Sequence, residues 1–337
     1  MRSTLIWIFV SCILLPEYLL CAESKAVSIT DIYFQNISQK DGISDHSILD
    51  IVEDKNGSLW IATLTGLHRY TGYSEGAKQY HPLTSNPRSL PSTWINDLFI
   101  DDKGTLWVGT DQGLAKYNAQ TDDFTVIAFE ANTSKSKYIR KIIADENGRL
   151  LVSTYDEIYR LQPDGKVLIP AFRGTKLPDD MLVIYNEAHR LWIGTKNHGA
   201  FILNKNSDQI FPLSKVNPYG YSVAQNRVHD IQVIDGEYWL ATGDGITRIA
   251  NNGEISYLGS SEDNQPIKLS TTSALTQVGD IVWIGTFKGL AIYDLRKRQF
   301  IAAGQKSAEL TGLTQKIIFS IQADSNCLLY TSDAADE

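Results

Sequence analysis

One frame recurs along this chain at a spacing of about 44 residues, and that period excludes most folds before any single residue is considered. The stretch "ILDIVEDKNGSLWIATLTGLHRY" at Ile48–Tyr70 returns as "INDLFIDDKGTLWVGTDQGLAKY" at Ile95–Tyr117. It returns again as "IRKIIADENGRLLVSTYDEIYRL", "MLVIYNEAHRLWIGTKNHGAFIL", "IQVIDGEYWLATGDGITRI" and "LTQVGDIVWIGTFKGLAIY". The tryptophan column reads Trp60, Trp107, Leu151, Trp192, Trp239 and Trp283, at intervals of 47, 44, 41, 47 and 44 residues. A unit this short cannot bury its apolar face alone, so the core must come from stacking each unit on its neighbours.

Each unit reads as short strands. Apolar residues alternate at Ile48, Ile51 and then Leu59, Ile61. They are broken by an Asp-x-x-Gly turn and then by a Thr-x-x-Gly turn, where glycine relieves the strain of positive φ. "GLHRY" supplies a third strand and "AKQYH" a fourth. Four antiparallel strands in such a period match a propeller blade, whereas leucine-rich and helical repeats need other periods and residue classes. The expected fold is therefore all-β, a β-propeller of six four-stranded blades plus an incomplete seventh. Inner strands are predicted to begin near His46, Trp94, Tyr138, Asp180, Val228 and Ser273. The tryptophan should fill the wedge between blades, with Gly109, Gly194 and Gly285 permitting close approach beside it. The third and fourth copies, with Leu151 and Ser153 in place of tryptophan and glycine and His189 in place of a turn glycine, should be the least regular.

The ends of the chain read differently. Arg2, the apolar run Leu5–Leu15, the break at Pro16-Glu17 and the small Ala22 describe a secretory signal over residues 1–22, too short to span a bilayer as a helix. Attachment of lipid at Cys21 is disfavoured by the bulky Leu20 before it. The three cysteines are Cys12, Cys21 and Cys327, so the span 23–326 contains no thiol and no disulfide can hold it. The last eleven residues, "CLLYTSDAADE" at 327–337, break the frame and resemble the translation of a transposase sequencing adaptor. They are expected to be an artefact, with "KIIFSIQAD" at Lys316–Asp324 as the inner strand of a seventh blade cut short. "ITDIYFQNI" at Ile29–Ile37, like "FTVIAF" at Phe124–Phe129, has the pattern of an outer strand and is expected to close that last blade. Leu328–Thr331 could serve it as a substitute second strand.

The frame I-x-x-I-x-x-D-x-x-G-x-L-W-I-G-T-x-x-G-L-x-x-Y resembles the two-component regulator propeller repeat. "SQKDGISDHSILDIVEDKNGSLWIATLTGLHRYTG" is similar to that family's opening blade, and Ser89–Ser92 ("SLPS") to the entry of its second. The resemblance implies the periplasmic sensor region of a hybrid histidine kinase or diguanylate cyclase, homodimeric and inner-membrane anchored in the intact receptor through a region C-terminal to this sequence. By resemblance, ligand or partner binding outside the membrane biases the output inside. The ligand would be an unidentified small molecule or carbohydrate. A secreted protein-interaction scaffold is the alternative, followed by a carbohydrate-active enzyme.

Other classes fare worse. A net charge of −8 argues against a sequence-independent nucleic-acid binder. The six histidines, at 46, 68, 81, 189, 198 and 229, have no metal-ligand spacing, so no metal or cofactor is expected. The Asp-x-x-Gly-x-Leu-Trp turn resembles the Asp-box of sialidases, with different spacing, but that box is structural, and no paired acid and base is apparent, so this fragment is not expected to be an enzyme. Candidate ligand-binding residues come from propeller geometry alone. Loops between second and third strands would present Asp111, Tyr155, His198, Asp244 and Lys288 on the channel face. Trp94, Tyr138 and Arg227 would join them from the starts of inner strands. Their mixed aromatic and polar character suits a sugar-like or amphipathic ligand.

Overall fold

The aspartate-glycine turn of each repeat is a local hydrogen-bonded device, and it sets the geometry of everything outside it. In the first blade Asp54 Oδ1 accepts from the backbone N–H groups of Asn56 (2.9 Å) and Ser58 (3.1 Å), while Oδ2 accepts from Trp60 Nε1 at 3.0 Å. Gly57 completes the turn at φ +77°. Asp101 repeats the arrangement on Lys103, Thr105 and the indole of Trp107. In the third blade Leu151 has no side-chain N–H to offer, and Arg149 Nε takes the indole's place on Asp145 Oδ2 at 3.0 Å. The second turn is pinned by its threonine in every blade: Thr63, Thr110, Thr154, Thr195, Thr242 and Thr286 each donate a hydroxyl hydrogen bond to a carbonyl three or four residues on.

The computed structural model describes residues 41–43, 47–72, 76–130, 136–213, 226–260, 267–301, 317–323 and 329–331, all within the unit Phe34–Glu337. Among them there is no α-helix, and none long and apolar enough to cross a membrane. Six four-stranded antiparallel blades stand in a ring, with inner strands at Ile48–Glu53, Ile95–Ile100, Lys141–Ala144, Met181–Asn186, Val228–Ile234 and Thr272–Val278. The expected starting points therefore hold to within three residues, apart from His46, which lies outside the described residues. In five blades a bulge interrupts the register near the start of the inner strand, as between Ile48 and Asp50.

A seventh position in the ring is held by the strand Ile321–Ala323, in contact with the inner strands of both the sixth and the first blade. It pairs antiparallel with Leu329–Thr331, Ile321 facing Thr331. Ser320 Oγ donates to Asp50 Oδ1 at 2.9 Å, joining the seventh position to the first blade. The expected signal segment 1–22 and the strand Ile29–Ile37 lie outside the described residues.

The wedges between blades are filled as the repeat requires. Trp60 packs on Tyr80 of its own blade and edge-on to Tyr117 of the next, at centroid distances of 5.5 and 4.7 Å. Trp192 stacks on Tyr238 at 4.3 Å, and Trp239 meets Tyr293 at 5.6 Å. These tryptophans are at most 1% exposed, and each aromatic pair adds about 0.5–1.5 kcal/mol beyond the area it buries. The glycines of the second strand lie where inner strands converge. A Cβ on Gly109 would come within 2.6 Å of Ile139 Cγ2, and one on Gly285 within 2.9 Å of Ile318 Cγ2.

Two expectations need correction. The fourth blade is as regular as the others, because Glu187 reaches across the altered turn and accepts from Trp192 Nε1 at 3.2 Å and Arg190 Nε at 2.9 Å. The third blade alone departs: its inner strand is four residues long and its sheet has five strands. The fifth explains the other correction. Phe124–Phe129 is not one outer strand but two pieces: Asp123–Val126 ends the second blade, and Ala128–Phe129 crosses to pair in parallel with Val167–Leu168 of the third.

Candidate functional site

Because inner strands run side by side down the channel, equivalent repeat positions form layers of side chains around it. One layer consists of Asp50, Asp97, Lys141, Val183, Asp230, Ala274 and Ser320, one from each ring position. Its aspartates tie blade to blade. Asp50 Oδ2 accepts from Leu98 N at 2.9 Å, Asp97 Oδ2 from Ile142 N at 2.6 Å and Asp230 Oδ2 from Leu275 N at 2.9 Å. Lys141 Nζ donates to Asp97 Oδ1 at 2.7 Å. Burial pushes the Asp97 carboxyl up to about 7 despite that ammonium. Burial would lower Lys141, but Asp97 and Asp50 outweigh it and hold the ammonium above its ordinary value. These groups are mutually satisfied, and they explain the inner edges of the blades.

The layer one residue nearer the strand starts is different in kind. There the channel, about 770 Å³ in volume, is lined by Asn96, Arg140, His229 and Phe319 together with apolar residues and a serine. Trp94, Tyr138 and Arg227 stand above them, as do Tyr155, Lys196 and Phe287 from the turns between second and third strands. Two groups face across the mouth. On one side Trp94, Tyr138 and Tyr155 form a chain of rings at 6.2 and 5.0 Å, with the Arg140 guanidinium 5.7 Å from Tyr138 and 5.3 Å from Tyr155. On the other, His229, Phe287 and Phe319 form a second chain at 5.7 and 5.9 Å. Trp94 is 43% exposed, unusual for so large an apolar ring when the other tryptophans among the described residues are buried.

The polar atoms of this layer are not mutually satisfied. Arg140 Nε, His229 Nε2 and Asn96 Nδ2 are buried and have no hydrogen-bond partner among the described residues. Burial, reinforced by Arg227 and Arg140, lowers His229 to about 4. Leaving a buried polar atom unmatched costs about 1–3 kcal/mol, and the convergence of three such atoms on one channel makes this layer a place where a ligand can supply acceptors.

Of the eight residues expected to bind ligand, Trp94, Tyr138, Tyr155 and Arg227 meet at this mouth. Asp111, His198, Asp244 and Lys288 do not line the channel. The threonine-pinned turn aims the residue directly after the threonine inward, as in Tyr155, Lys196 and Phe287, whereas His198, Asp244 and Lys288 lie two or three residues beyond it. His198 instead faces Asp180, with Nδ1 and Oδ1 3.1 Å apart. Asp111 holds the inward register, and its backbone N–H bonds the Trp94 carbonyl at 3.3 Å just as those of Lys196 and Phe287 bond Asp180 and Thr271, but its side chain does not line the channel. Arg140 and His229 escaped the sequence reading. Their signal is the column Leu49, Asn96, Arg140, Leu182, His229, Ser273, Phe319, variable in polarity beside a column that is apolar in almost every blade.

A family model described as "Two component regulator propeller" matches residues 42–65 and 89–112, the cores of the first two blades. The comparison with curated protein sequences gave no match. Among solved structures, the chain is similar to two B. thetaiotaomicron extracellular domains ascribed to hybrid two-component systems. The first has a TM-score of 0.73 and 23% identity over 89% of this chain and 40% of that one. The second has a TM-score of 0.69 and 19% identity over 88% and 41%. This chain thus spans about two fifths of their length. Virginiamycin B lyase from Staphylococcus aureus is also similar, with a TM-score of 0.58 and 16% identity over 87% of this chain and 97% of that one. At these identities the likeness is one of fold.

Proposed function

We propose that this chain, whose opening blades carry two-component regulator propeller repeats, is the extracytoplasmic sensing propeller of a bacterial signal-transduction receptor. Its ligand is a small molecule taken up at the channel mouth. The observation that carries this reading is the convergence on one mouth of two aromatic clusters, one of them holding the exposed Trp94, with two arginines and the unmatched polar atoms of Asn96, Arg140 and His229, drawn from separate blades. Side chains that only packed blades together would not need that composition. The fold shared with extracellular domains of two-component systems supports an exported location, and the periplasm of a bacterium is the compartment proposed. The output, a histidine kinase or a diguanylate cyclase, would lie in a part of the receptor beyond this sequence, and dimerisation would couple it to the mouth.

The test is a thermal-shift screen of the purified protein against oligosaccharides, amino acids and organic acids, because a ligand that binds only the folded state must raise Tm. Quenching of Trp94 fluorescence by the same compounds would place them at the mouth, and Trp94→Phe removes that signal. A screen in which nothing shifts Tm favours a scaffold for protein partners. Since a lyase shares the fold, incubation with a streptogramin B followed by mass spectrometry separates binding from turnover: unchanged compound is expected, and a linearised product would make the chain an enzyme.

A further inference from the structure

We infer that the mouth recognises a carboxylate borne on a ring, with the acid group held between Arg140, Arg227 and His229 and the ring against the flanking aromatic side chains, and that binding brings a proton onto His229. This rests on the sensor reading above and names its ligand class.

Three observations combine. The first is ion pairing. Arg69, Arg149, Arg190 and Arg248, which serve the blade turns, each face a carboxylate. Arg140 and Arg227 form no ion pair among the described residues, and the Arg227 side chain makes there only a 3.5 Å hydrogen bond from Nε to the Lys196 carbonyl. Two unpaired guanidiniums beside one channel, in a chain of net charge −8, are not a consequence of overall composition.

The second is the set of unmatched donors. Arg140 Nε and Asn96 Nδ2 can only donate, and His229 Nε2 donates whenever it carries the ring hydrogen, in one neutral tautomer and in the imidazolium. A carboxylate has two oxygens with about four lone-pair directions and can satisfy all three, whereas a sugar hydroxyl can meet one or two.

The third is the layer beneath. Asp50, Asp97 and Asp230 face the channel one residue deeper, offset only by Lys141. Their lone pairs are engaged by backbone N–H groups, Lys141 and Ser320, but their summed charge repels an anion from the channel floor. The acid group therefore stops at the mouth, level with the rings, where Trp94, Tyr138 and Tyr155 on one side and Phe287 and Phe319 on the other receive a flat or apolar face.

The proton follows from the same arrangement. The groups facing His229 are Arg227 and Arg140, with Phe287 against its ring, and they oppose an imidazolium as long as the mouth holds no anion. A carboxylate offsets both guanidiniums and offers an acceptor to the ring nitrogen. Affinity should then rise as pH falls from about 7 toward 5, by up to about tenfold per pH unit, the limit for uptake of one proton.

Two acids with different rings distinguish the sources of such a ligand: D-galacturonate for acidic sugars and phenylacetate for aromatic acids. Each is paired with its neutral counterpart, methyl galacturonate ester or phenylacetamide. Calorimetric titration of the purified protein at pH 5.5 and 7.5 is expected to show at least one acid binding, tenfold or more tighter than its neutral partner and tighter at the lower pH. Arg140→Gln with Arg227→Gln should abolish the preference for the acid, while His229→Gln should keep it and reduce the pH dependence to the part contributed by the deeper Asp97, whose carboxyl burial has pushed up to about 7. Circular dichroism and Tm confirm that the variants fold. Equal binding of acid and neutral forms overturns the carboxylate assignment and leaves the sensor reading standing. Binding by neither acid overturns the carboxylate assignment as well, and if no other compound shifts Tm the sensor reading falls with it.

Discussion

Gly194→Ala adds one methyl group to a second-strand position where the chain itself uses alanine elsewhere, since Ala62 and Ala241 occupy the same place in the first and fifth blades, both wholly buried. The repeat alone would judge the change harmless. The geometry judges otherwise. A Cβ at position 194 falls 2.6 Å from Val183 Cγ1 and 2.8 Å from Val228 Cγ1, distances that real carbon contacts do not tolerate. Val183 faces Gly194 across the strand pair and Val228 begins the next inner strand, so the methyl is caught between two blades. Both valines are stiff at χ1 and buried, with no rotamer to retreat into. Overpacking of this kind costs about 1–3 kcal/mol, which for a chain of this size lowers Tm by about 2–12 °C. Urea unfolding followed by tryptophan fluorescence should give a lower midpoint at an unchanged slope. Adding Val183→Ala should recover part of the loss, with a coupling of about 1 kcal/mol between the two sites. A Gly194→Ala protein melting within 1 °C of the parent, or strict additivity in the pair, would show that the strands separate freely and that the close approach is not a constraint.

Asp101→Ala strips the acceptor from two backbone N–H groups and from the buried Trp107 indole, and should cost about 2–4 kcal/mol at roughly 1 kcal/mol per bond. Asp235→Ala should cost less when measured in the same denaturation series, because Trp239 Nε1 already lacks a partner. The seventh ring position should depend on Asp50: Asp50→Ala removes the acceptor of both Ser320 Oγ and Leu98 N, and hydrogen exchange at 317–323 should accelerate while that of the fourth blade does not. Stability should also fall with acid through His229. Its folded-state value, about 4, is below the ordinary 6.5, so the unfolded chain takes up the proton first and stability is lost between pH 6.5 and 4, then levels off. The loss is at most about 3 kcal/mol, and His229→Gln should flatten the difference in Tm between pH 7 and pH 4.5 by the corresponding amount.

The devices that make a blade act over short stretches of chain, and for that reason they could be read without a structure. Asp54 reaches Trp60 six residues away, and Thr63 reaches Gly66 across three; side-chain type and spacing decide such contacts wherever the unit sits. Six copies of one frame then settle the strand order, the wedge tryptophans and the starts of the inner strands. Departures from the frame were less legible, because a substitution shows what is missing and not what replaces it. Arg149 standing in for an indole and Glu187 spanning an altered turn are matters of side-chain reach. The channel mouth lies further still from the sequence. Trp94, Tyr138, Arg227 and Phe319 are separated by 44, 89 and 92 residues, and no local interaction brings them together. Their meeting depends on the ring's curvature, on inner strands that present two successive residues to the channel, and on a threonine turn that aims one residue inward and the next away. Those are properties of how blades stack, set by contacts such as Gly194 on Val228, and they decide which polar residues become a site and which remain on the rim.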